Sequence, residues 1–130
     1  MLRRRLLAGF LAAGAARADE RTEILEIVEP LAAALSASRP ENFMAAFADD
    51  MPDRGRLSDH IGALIAFAEV TSSIEVIGIG GGRAELDWYM EIRARATRSI
   101  VERRRSKVSV RVSSGKIQEL KPVDFFRLPQ

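Results

Sequence analysis

The chain contains no cysteine. Disulfides, thiolate metal sites and lipoprotein acylation are therefore all excluded, and the fold must be held by its core. It contains one histidine, His60, so a histidine-based metal site has no ligand spacing to build on. It contains one tryptophan and one tyrosine, and no aromatics are interleaved with its basic residues as in single-strand nucleic-acid binders. Its apolar run at Leu6 to Ala13 is too short for a permanent membrane span. Internal repeats and low-complexity segments are absent beyond that run.

The first eighteen residues have an organisation of their own. Arg3, Arg4 and Arg5 precede the apolar run, and small residues follow it, ending in Ala16-Arg17-Ala18. That order predicts a signal peptide cleaved after Ala18 and a periplasmic or secreted protein, by either the general or the twin-arginine route. The predicted organisation is a signal over residues 1–18 and one domain over residues 19–130. The whole chain has 20 basic and 18 acidic residues; four of the basic ones and no acid lie before Asp19, so the mature domain has a net charge of −2. The high pI of the whole chain thus gives no indication of a nucleic-acid partner.

The clearest stretch is Arg83 to Thr97. Ala84, Leu86, Trp88, Met90, Ile92, Ala94 and Ala96 alternate with Glu85, Asp87, Tyr89, Glu91, Arg93 and Arg95. A period of two predicts a strand with one buried and one wet face. Val70 to Ile79 precedes it, joined by Gly80-Gly81-Gly82. A phosphate loop would open a helix; a strand follows these glycines, so they predict a hairpin turn. Ile100 to Val112 and Lys116 to Leu120, separated by Ser113-Ser114-Gly115, predict two more strands, with Phe125-Phe126 in a tail after Pro122.

Upstream, Ile24, Ile27, Val28, Leu31, Ala34 and Leu35 predict a helix over 23–36, kinked or restarted at Pro30. Ser38-Arg39-Pro40-Glu41 predicts a capping box for a second helix that carries Phe43, Met44 and Phe47 inward and stops near Asp49-Asp50. A loop over 51–56 and a third helix from about Ser58 to Glu69 follow. Helices first and an antiparallel meander afterwards give an α+β domain.

The stretches ALIAFAEVTSSIEV, AELDWYMEIR and KIQELKPVDFF are similar to an exported bacterial branch of the NTF2-like (SnoaL-like) superfamily without assigned activity. The resemblance implies a cone of three N-terminal helices on a curved antiparallel sheet of about four strands, and a site in the pocket between them. That superfamily includes isomerases, dehydratases, cyclases and non-catalytic binders. This chain departs from the enzymes in lacking room for a strand pair between its second and third helices, and in having its only tyrosine, Tyr89, in a strand.

The candidate acid/base set is His60 with Asp49 or Asp50. The plainer reading is that the aspartates end a helix and His60 is a first-turn residue, where the helix dipole disfavours its positive charge. Phe47, His60, Leu64, Leu86, Trp88 and Met90 are the expected ligand-binding residues, and the same apolar side chains could simply fill the core. The basic set Arg93, Arg95, Arg98, Arg103, Arg104, Arg105, Lys107 and Arg111 and the acids Glu75, Glu85, Asp87, Glu91 and Glu102 predict an ion-pair lattice on the wet sheet face. Three functions stay open. One is an exported domain binding an apolar small molecule, with no cofactor or metal. Another is a cofactor-independent isomerase, dehydratase or hydrolase. The third is a structural module that forms a homodimer through its sheet.

Overall fold

The computed structural model describes the backbone from Leu2 to Gln130 and the side chains from Asp19 onward. The side chains of the expected signal, residues 1–18, lie outside that description. Its centre is β2, Arg83–Ala94, where Ala84, Leu86, Trp88, Met90, Ile92 and Ala94 are each 4% exposed or less. Strand β1, Ala68–Gly80, pairs with one side of β2, and β3, Ile100–Ser113, with the other. Strand β4, Lys116–Lys121, pairs with β3, which completes an antiparallel sheet of order β1-β2-β3-β4.

The hairpin turn needs glycine. Gly81 and Gly82 have φ of 58° and 76°, and a Cβ on Gly82 would meet the Val112 carbonyl oxygen at 3.1 Å. Register shifts interrupt all three strand pairs, at Val76/Gly78, Ile92/Arg93 and Arg111/Val112. Such bulges bend strands, which gives the sheet a concave side for the helices. Ala96 falls beyond the end of β2 and is exposed.

Helix α1, Leu2–Ser36, runs through Pro30 without restarting. Pro30 is on the exposed side, where water can satisfy the Glu26 carbonyl that proline cannot. Ile24, Val28, Leu31 and Leu35 bury the other side. The expected capping box does not form. Ser38 instead ends α1 in a left-handed conformation, φ 58°, with its N–H donating to Leu35 O and that of Arg39 to Ala34 O, a Schellman closure.

Helix α2, Pro40–Met44, is shorter than the sequence predicts. Phe47 leaves it to form a parallel bridge with Ile117, and the Ala48 N–H donates to Ile117 O at 2.9 Å. Helix α3, Arg54–Phe67, starts ahead of Ser58 without a side-chain cap and stops where Ala68 turns extended into β1. Phe125-Phe126 also departs from expectation. Val123–Phe126 is a 3-10 turn, and Val123, Phe125 and Phe126 are buried. Among the described residues no helix is long and apolar enough to cross a membrane.

Candidate ligand site

Phe47, Leu64, Leu86, Trp88 and Met90 all belong to the buried core between helices and sheet, each 2% exposed or less. The alternation of β2 sends Leu86, Trp88 and Met90 to the concave side, and helical spacing puts Leu64 on the buried stripe of α3 with Leu57, Ile61 and Ile65. Trp88 Nε1 donates to Ser72 Oγ at 2.7 Å, so the indole is buried with its polar atom satisfied. The space these residues surround is occupied. The Phe126 ring lies edge-on to Trp88, centroids 5.0 Å apart, and 5.7 Å from Phe43; Phe125 is 6.3 Å from Trp88. The terminal 3-10 turn thus inserts two aromatic rings where the sequence predicts a pocket. One sequence signal pointed there: two of the chain's eight aromatic residues fall in its last six positions.

His60 is the seventh residue of α3, past the first turn where the helix dipole acts. It does not meet Asp49 or Asp50. Those two are exposed and border a separate hollow of about 450 Å³ beside Arg54 and Lys116. His60 instead faces the terminal turn, its Nε2 3.5 Å from Asp124 Oδ1, with Arg56 Nε 4.0 Å from the same oxygen. The Nε2 atom is buried and makes no hydrogen bond. An imidazole facing a carboxylate can move a proton. Among the described residues no three His, Cys, Asp or Glu side chains converge to hold a metal ion.

The ion-pair lattice forms on the convex face in part. Arg105 Nε donates to Asp87 Oδ1 at 3.0 Å, Arg103 pairs with Glu91 at 3.4 Å and Arg83 with Glu119 at 3.7 Å. Glu102 and Arg104 do not belong to it. They sit opposite Ile92 and Met90 in the register, hence on the concave side. There they pair with each other, and Arg104 Nη1 donates to Phe125 O at 2.8 Å. Arg95 belongs to a helix junction, donating to Ile65 O and Ser38 Oγ. A groove of about 680 Å³ separates the Glu102–Arg105 part of β3 from the C-terminal segment, whose wall includes Asp124, Phe125, Arg127 and Leu128.

The hydrogen bond from Arg105 holds the Asp87 carboxyl below its ordinary range, assisted by the charges of Arg105 and Lys107 against partial desolvation. A depressed folded-state pKa stabilises above the unfolded value and ceases to do so as pH falls through the folded one. Asp87→Asn should therefore have a urea midpoint slightly below the wild type from pH 7 to 5. The gap should close below about pH 4, where carboxylates protonate, and remain small throughout because the pair is at the surface.

No family model matches the chain, and no curated protein matches it by sequence. Its backbone does match solved structures. The Δ5-3-ketosteroid isomerase of a Mycobacterium species superposes with a TM-score of 0.63 at 15% identity, over 75% of this chain and 89% of that one. A Mycobacterium tuberculosis protein in complex with estradiol-17β-hemisuccinate gives 0.63 at 15%, over 75% and 90%. An uncharacterized cystatin-fold protein of Novosphingobium aromaticivorans gives 0.61 at 14%, over 74% and 93%. Three helices on the concave side of a four-stranded antiparallel sheet, and these superpositions, give the chain the NTF2-like cone fold.

Proposed function

We propose that the mature chain is an exported, non-catalytic domain that binds an apolar small molecule in the place Phe125 and Phe126 occupy. The observation that carries this reading is the seat of those two rings: a four-residue terminal turn packs them on Trp88 and Phe43, within a buried apolar core that includes Phe47, Leu64, Leu86 and Met90. Exchanging two phenyl rings for a ligand of similar apolar area leaves the hydrophobic term nearly unchanged. Binding therefore requires a ligand that buries more apolar area than the two rings, and that surplus has to offset the release of the turn, including the Arg104 bond to Phe125 O, and the ligand's lost freedom of motion. The ketosteroid isomerase and the estradiol-hemisuccinate complex among the structural neighbours support a ring-containing apolar ligand.

Trp88 is the only tryptophan, so its emission reports displacement of the rings beside it. Titration with a soluble polycyclic aromatic acid should change that emission saturably, at one molecule per chain. An unchanged emission at saturating probe would sink the proposal. The affinity should be flat from pH 5.5 to 8 and within about twofold of wild type in His60→Gln, because the proposed wall is otherwise apolar. The pairing of His60 with Asp124 at 3.5 Å favours the second reading, an acid/base enzyme. An affinity that follows one ionisation near neutrality and is lost in His60→Gln would favour that enzyme over a binder.

Two further features belong to the proposal. Export implies cleavage after Ala18, and Glu20 supports a domain that begins just beyond it: its Oε1 accepts the Gly82 N–H at 2.8 Å. Mass spectrometry of protein from the native host should give Asp19 as the first residue; a chain retaining Arg3 to Arg5 would remove the export reading. A homodimer through the convex face is supported by its opposed stripes, acidic on β2 (Glu85, Asp87, Glu91) and basic on β3 (Arg103, Arg105, Lys107). A two-fold axis would set one stripe over the other. Sedimentation should give a dimer that weakens with salt, and a monomer at all concentrations would exclude it.

A further inference from the structure

We infer that the open edge of β3 is a docking site for an extended acidic peptide, added to the sheet as a fifth strand. Strand β3 has fourteen residues, but β4 pairs only with Ser109 to Ser113. The chain leaves that position after Lys121, so Ile100 to Val108 have no partner strand on the side away from β2 among the described residues. At ~3.3 Å per residue, these nine residues offer about 30 Å of edge.

The groove described above runs along this edge. Its wall includes Glu102, Arg103, Arg104 and Arg105 in succession. Successive side chains of a strand point to opposite faces, so a hollow bordered by four in a row lies off the strand's edge and meets its backbone. The far wall, with Phe125 and Leu128, bounds a slot for one extended chain.

Charge selects the occupant. Arg103, Arg105 and Lys107 line the convex side of the edge at alternate positions and Arg127 stands across the groove; of the two carboxylates in its wall, Glu102 is paired with Arg104, and Asp124 faces His60 and Arg56. Arg103 and Arg105 already pair with Glu91 and Asp87, but each guanidinium has five N–H donors and can serve a second carboxylate. Carboxylates at alternate positions of an added strand would meet this row. Its intervening side chains would then turn to the concave side, toward Phe125 and the exposed Leu128. The same cations repel a second β3, so two copies do not pair through this edge.

A nine-residue peptide alternating glutamate with valine tests this directly, followed by calorimetry and by amide shifts of the full mature domain. Saturable binding should move the amides of Ile100 to Val108 and of Leu128. Replacing glutamate by lysine, or N-methylating alternate peptide amides, should each weaken it by about tenfold or more, the first through charge and the second through lost strand pairing. Arg103→Gln with Arg105→Gln should weaken it similarly while leaving the urea transition cooperative. Several results would overturn the inference. They are undiminished binding of the N-methylated peptide, shifts confined to the convex face, and no saturable binding up to about 1 mM, the weak end of specific affinity. Self-association of the domain that protects the same amides would assign the edge to a second copy instead.

Discussion

Trp88→Ala should lower stability by about 3–5 kcal/mol, the range for deleting a large buried aromatic side chain. The indole is fully buried, packs against Phe43, Phe125 and Phe126, and donates to Ser72. Its removal leaves a cavity bordered by Phe43, Phe125 and Phe126. Tyr89→Ala should cost much less, because Tyr89 is on the convex face, half-buried, with only a 3.5 Å contact from its hydroxyl to Glu91. The contrast tests the register of β2, since a slip of one residue exchanges the two faces. Urea melts of the two variants should differ by several-fold in lost stability. Equal losses would contradict the strand as described.

Phe126→Ala should be comparably severe, again about 3–5 kcal/mol, although only four residues of the sequence follow it. Its ring is fully buried between Trp88 and Phe43. Leu128, two residues on, is 41% exposed, and Leu128→Ala should stay within about 0.5 kcal/mol, as surface substitutions do. Thermal melts of the two variants separate a terminal turn that is part of the core from one resting on it. A small loss for Phe126→Ala would mean that the turn contributes little to stability.

What the sequence revealed, and what it concealed, follows from the range of the interactions. Strand β2 was legible because its period of two is imposed by the sheet it lies in, and no distant residue is needed to see it. The hairpin was legible because Gly81 and Gly82 hold backbone angles that other residues avoid. The start of α3 was not legible: Asp53 ahead of it makes no side-chain cap, so no capping signature marks Arg54. The end of α2 depends on a bridge between Phe47 and Ile117, seventy residues apart.

The site divides along the same line. Its apolar wall was read from periodicity, since Leu86, Trp88 and Met90 share a strand face and Leu64 belongs to a helical stripe. Its contents and its polar partner were not. Phe125-Phe126 is too short a pair to have a period, and Asp124 meets His60 across sixty-four positions. In the sequence alone Glu102 and Arg104 group with the wet face, because runs of charge usually lie there. Their inward parity becomes visible only when Arg104 is set opposite Met90.

Native mass spectrometry of the domain purified from its own host should show one small apolar molecule retained per chain and released on activation to give the bare mass. The unliganded chain in every preparation, with Trp88 emission unmoved by added apolar probes, would contradict ligand binding and leave the interior as a permanently filled core.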